Sequence, residues 1–83
     1  MSKTDDDLKT FMRDVLALEG LEPNRVREMT LFYVTEYDRM FRGVQRCRKL
    51  CRQRVTEEIT RREGTPTADH LRTVLSVINV LAF

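Results

Sequence analysis

The sequence predicts an all-α protein: three helices in short-long-short order, at about residues 4–19, 24–63 and 66–82, with the long central helix as spine. Two observations carry this expectation. Apolar residues recur at spacings of three and four through most of the chain, the period of a helix with one buried face. The breakers, three Gly and two Pro, fall mainly at two places, Gly20 with Pro23 and Gly64 with Pro66, leaving only Gly43 inside a long periodic stretch. A charged content of 34% beside a hydrophobic content of 41% suits a folded chain.

Helix one is expected to begin at Thr4, whose hydroxyl can cap, with Asp5, Asp6 and Asp7 in the first turn where the helix dipole favours carboxylates. Leu8, Phe11, Met12 and Val15 follow at i, i+3, i+4 and i+7 and define its inner face. Gly20, Pro23 and Asn24 mark the connection, with Asn24 the expected cap of the next helix.

Helix two is read from Val26, Met29, Tyr33, Tyr37, Met40, Val44, Cys47, Cys51, Val55 and Ile59, whose mean step of about 3.7 residues matches a helical repeat. Gly43 costs about 1 kcal/mol relative to Ala in a helix interior. The apolar phase is the same on both sides of it, so the helix is expected to continue. At about forty residues it would be roughly 60 Å long, against roughly 22–25 Å for each neighbour. Short connections would fold each short helix back on its own half of the spine.

Helix three is expected to open at Thr65-Pro66-Thr67 with either Thr as cap and Asp69 in the first turn. Ala68, Leu71, Val74, Leu75 and Ile78 form its inner face. The β-branched Val74, Val77, Ile78 and Val80 leave a terminal strand open as the alternative. Eighty-three residues make one small helical domain, 1–83, near the size at which a single core is barely sufficient. A partner chain is therefore expected to complete it.

Two segments hold more apolar surface than this packing consumes. Met29 to Tyr37 adds Leu31, Phe32 and Val34 to the buried stripe, and Leu75 to Phe83 adds Val77, Val80, Leu81 and Phe83. Burying a large apolar side chain is worth about 1.5–3 kcal/mol, and contiguous exposed patches mark interfaces. These seven side chains are the expected partner-binding surface; the alternative is a compact three-helix monomer that uses them internally.

Charge is unevenly spread. Residues 25–63 hold eleven bases against six acids, whereas residues 1–24 hold three against six. The segment Arg39 to Arg54, RMFRGVQRCRKLCRQR, carries seven bases and no acid. Arg39, Arg42, Arg46 and Lys49 follow at spacings of three and four and are extended by Arg54, while Arg48 and Arg52 make a second row. Twelve of the fifteen cations are Arg, the residue suited to bidentate contact with carboxylate or phosphate. No aromatic is interleaved on that face for base stacking and no turn-helix signature places it in a groove. An acidic protein partner is thus the first expectation and nucleic acid the second.

Cys47 and Cys51 lie one turn apart on the apolar stripe, too far for an unstrained disulfide, and are expected to be buried structural thiols. His70 is expected to be exposed. No phosphate loop, paired-carboxylate signature or metal-ligand motif occurs, so no enzymatic activity, cofactor or metal is expected. The N-terminus MSKTDDDLKT has neither an apolar signal core nor an Arg-rich presequence, and the apolar run LSVINVLAF is too short to span a bilayer. A soluble intracellular protein is expected, in a compartment the sequence does not specify.

The short-long-short layout, with Thr67-Ala68-Asp69-His70-Leu71 opening the last helix, is similar to that of histone-fold proteins. That resemblance implies pairs interlocked across the central helix, with Arg side chains on DNA. Two functions follow as expectations. The first is a non-enzymatic interaction subunit or adaptor, homo- or hetero-oligomeric, in a larger assembly. The second is a dimeric nucleic-acid-binding regulator or architectural protein.

Overall fold

A computed structural model of the chain describes residues 3–40 and 46–81, without the side chains of 3–5, 38, 40, 46–48 and 81. The described residues form four helices: α1 (Lys3–Leu16), α2 (Pro23–Met40), α3 (Arg46–Arg61) and α4 (Pro66–Leu81). The all-helical expectation holds, and α4 stays helical through its β-branched residues. The three-helix arrangement does not hold. The expected central helix is two helices, and Gly43 falls in the interval 41–45, outside the described residues.

The physical reason is burial. A continuous helix of roughly 60 Å would be nearly twice the longest dimension spanned by the described residues, 34 Å. Each of its halves would then have one short helix to cover it. As separate elements, α2 and α3 touch each other and both pack against α4, while α1 contacts all three. The layout that resembled the histone fold is therefore replaced by a four-helix bundle, in which each helix turns its apolar face onto several others.

The core is built from Phe11, Met12, Val15 and Leu18 at one side, Val26, Val34 and Tyr37 from α2, Cys51, Val55 and Ile59 from α3, and Leu71, Val74 and Ile78 from α4. The faces of α1 and α4 are those their spacing predicts. In α2 the buried face is turned: Thr30 and Val34 are buried, while Met29 and Tyr33 are only partly so. A stripe fitted along one straight spine points at one neighbour. The observed α2 contacts α1, α3 and α4 together.

The ends of the helices show how the chain turns. After Leu16, the Leu18 and Glu19 amides donate to the Val15 and Leu16 carbonyls at 3.2 Å each, tightening the last turn, and Gly20 then takes the left-handed conformation at φ 96°. Helix α2 opens one residue earlier than expected. Pro23, with no amide to leave unsatisfied, is its first residue, and the Val26 amide donates to the Glu22 carbonyl at 2.9 Å. Asn24 is inside the helix and accepts from Arg27 at 3.2 Å. At the other connection Gly64 has φ 84° and Thr65 is the cap, its hydroxyl accepting from the Ala68 amide at 3.3 Å.

Candidate interaction surface

On α2, residues 30 and 34 lie on the core side, so Leu31 and Phe32 project from the flank and back of the helix. Leu31 is 45% exposed and Phe32 is 54% exposed. The Phe32 ring meets that of Tyr33 edge-on, with centroids 5.8 Å apart, so it is held against the helix surface. Val34, expected beside them on the docking surface, is only 3% exposed and belongs to the core. On α4, Val77 is half-buried and Val80 is 80% exposed. The Leu81 side chain and Phe83 lie outside the described residues. Leu21, in the α1–α2 connection, is another exposed large apolar side chain. No periodicity singles it out, because a turn residue belongs to no stripe.

The described basic residues of the segment Arg39 to Arg54 lie on two helices. Arg39 is exposed at the end of α2, with Glu36 at 3.7 Å. Arg42 and the side chains of Arg46 and Arg48 lie outside the description. On α3, Lys49 is exposed, whereas Arg52 and Arg54 are half-buried. Cys51 is buried, and the side chain of Cys47 is outside the described residues.

Packing of α1 against α3 creates a feature that neither helix shows alone. An open groove of about 400 Å³ is lined by Lys9, Met12, Arg13 and Leu16 from α1 and by Arg54 and Glu58 from α3. Met12 is buried and Leu16 half-buried, so the floor is apolar. Glu58 is also buried, and both its oxygens are engaged: Arg61 donates to Oε1 at 3.0 Å and Arg62 to Oε2 at 3.1 Å. Among the described residues Lys9 and Arg54 have no ion-pair partner, and Arg13 reaches only its neighbour Asp14, at 3.8 Å. Lys9 and Arg13 are one turn apart at the edge of the apolar face of α1, a signal too common to identify a site. Their convergence with Arg54 depends on helix packing.

His70 is not exposed as expected. It is half-buried, with Nε2 2.7 Å from the Val15 carbonyl. Tyr37, 8% exposed, packs its ring edge-on to Phe11 with centroids 5.4 Å apart. Its phenol is pushed up from 10.0 to about 12, first by burial and then by the carboxylates of Asp14 and Asp7. Among the described residues no three His, Cys, Asp or Glu side chains gather as a metal site, and no helix is long and apolar enough to cross a membrane. Compared with protein families, curated proteins and solved structures, the chain matches none.

Proposed function

We propose that the chain is a non-enzymatic helical interaction subunit or adaptor of a larger assembly. It docks through apolar side chains on the outer side of α2 and near the end of α4, and its cations grip an acidic neighbour. The observation that carries this reading is the exposure of Leu31 and Phe32 on a helix whose opposite side is already packed in the core. About half of each side chain is left uncovered by the described residues, and removal of that surface from water by a partner is favourable at about 25 cal/mol per Å². Engagement of His70 with a backbone carbonyl supports a structural role for the chain's one histidine.

The second reading is a nucleic-acid-binding protein. Its support is the run of Arg46, Arg48, Lys49, Arg52 and Arg54 along α3 without an intervening acid. It requires binding that weakens steeply with salt and is removed by Arg42→Glu, Arg46→Glu and Lys49→Glu together.

A tagged pull-down from the native source, with and without nuclease, separates the two. A discrete partner set that survives nuclease and is lost on Leu31→Glu with Phe32→Glu supports the adaptor. Partners retained by that double variant reject it, and partners lost with nuclease favour the second reading.

A further inference from the structure

We infer that the groove between α1 and α3 is a docking site for an acidic peptide segment of a partner protein, one that places a single large apolar side chain on Met12 and Leu16 and carboxylates beside Lys9, Arg13 and Arg54. This inference rests on the interaction reading above and specifies the chemistry of one contact.

Size sets the first constraint. The groove runs along α1 from Lys9 to Leu16, about 10 Å at 1.5 Å per residue, and has a volume of about 400 Å³. That is room for one large side chain and the backbone turn that carries it, and too short for a whole helix face. The floor of Met12 and Leu16 rewards an apolar anchor. Met is also an unbranched, adaptable side chain that fits several anchor shapes.

Charge sets the second. Glu58 is the acid of the lining, and its two oxygens are occupied by Arg61 and Arg62. Its charge is therefore already balanced by two guanidinium groups. Lys9 and Arg54 have no ion-pair partner among the described residues, and Arg13 is held only by a long contact to Asp14. Three cations thus surround an apolar floor, two of them, Lys9 and Arg54, without an ion pair among the described residues, an arrangement complementary to a segment that pairs an apolar residue with acids and repulsive to a basic one. A nucleic-acid strand fits poorly: the lining has no aromatic ring on which a base can stack, and phosphates would leave the apolar floor unfilled.

The test is selection from a random peptide display library against the whole chain, followed by affinity measurement on the best synthetic clone. The expected pool carries Asp or Glu flanking Leu, Ile, Met or Phe. Binding is expected to weaken by about tenfold or more on Lys9→Glu with Arg13→Glu, by less on the milder Lys9→Gln with Arg13→Gln, and to change by less than about twofold on Asn79→Glu, at an exposed position of α4 outside the groove. Circular dichroism should show unchanged helicity, since Lys9 and Arg13 are exposed. An empty selection, a pool without acids, or acidic clones indifferent to Lys9→Glu with Arg13→Glu overturns the inference. So does self-association of the chain that the same double variant abolishes, or displacement of the peptide by duplex DNA or RNA. Failure of the adaptor reading is recognised separately, by the Leu31→Glu with Phe32→Glu pull-down.

Discussion

His70 and Val15, fifty-five residues apart in sequence, are joined by a hydrogen bond of 2.7 Å between the imidazole Nε2 and the backbone carbonyl. A carbonyl can only accept, so Nε2 carries the proton and donates. Val15 sits in the last turn of α1, where carbonyls lack a full set of helical partners. The bond therefore fastens the end of α1 to the first turns of α4. His70→Ala is expected to destabilise the fold by about 1 kcal/mol, read as a lower urea midpoint with unchanged slope.

Thr30 offers the opposite case. Thr10, Thr56 and Thr60 return their hydroxyls to the carbonyls of Asp6, Arg52 and Thr56 at 3.0, 2.8 and 3.2 Å. Thr30 is fully buried, and among the described residues its hydroxyl has no hydrogen-bond partner. An unsatisfied buried polar group costs about 1–3 kcal/mol. Thr30→Val preserves the shape and removes the group, so a gain of about 1 kcal/mol is expected. A loss of stability in chemical denaturation would show that the hydroxyl is satisfied.

Tyr37 is expected to make stability fall at alkaline pH. Its folded value, about 12, lies above the ordinary 10.0. Below the lower value both states are protonated and the contribution is fully present. As pH rises from there, the unfolded chain loses the proton while the folded chain retains it, and stability declines through the higher value. The loss is on the order of 2 kcal/mol. Tyr37→Phe should flatten the unfolding free energy across this window relative to wild type, in urea titrations at matched pH.

Gly20 and Gly64 have φ of 96° and 84°, and a Cβ added at either would meet no atom of the described residues within 4 Å. The penalty for Ala is thus conformational alone, about 1 kcal/mol at each site. Gly64→Asn should cost less than Gly64→Ala, because Asn tolerates the left-handed region. Thermal unfolding of the three single variants checks the ranking.

Val34 and Phe32, two residues apart on α2, should respond oppositely to truncation. Val34→Ala, in the core, is expected to lose about 1–3 kcal/mol of stability. Phe32→Ala, more than half exposed, is expected to stay within about 0.5 kcal/mol. Equal losses in denaturant unfolding would mean that Phe32 also serves the core.

The sequence by itself determined the helical class, the inner faces of α1 and α4, and the turns at Gly20 and Gly64. Each depends on spacing or turn chemistry within a few residues, which a linear reading can follow. Continuous apolar phase across Gly43 misled the same reading, because a constant phase describes one long helix and two helices in register equally well. Only the tertiary structure decided between them, through the greater burial open to four short helices. It also decided that Thr30 and Val34 face inward, that His70 reaches Val15, and that Lys9 and Arg13 meet Arg54 across a groove. These outcomes depend on which helix lies against which, and periodicity along one helix does not specify its neighbour.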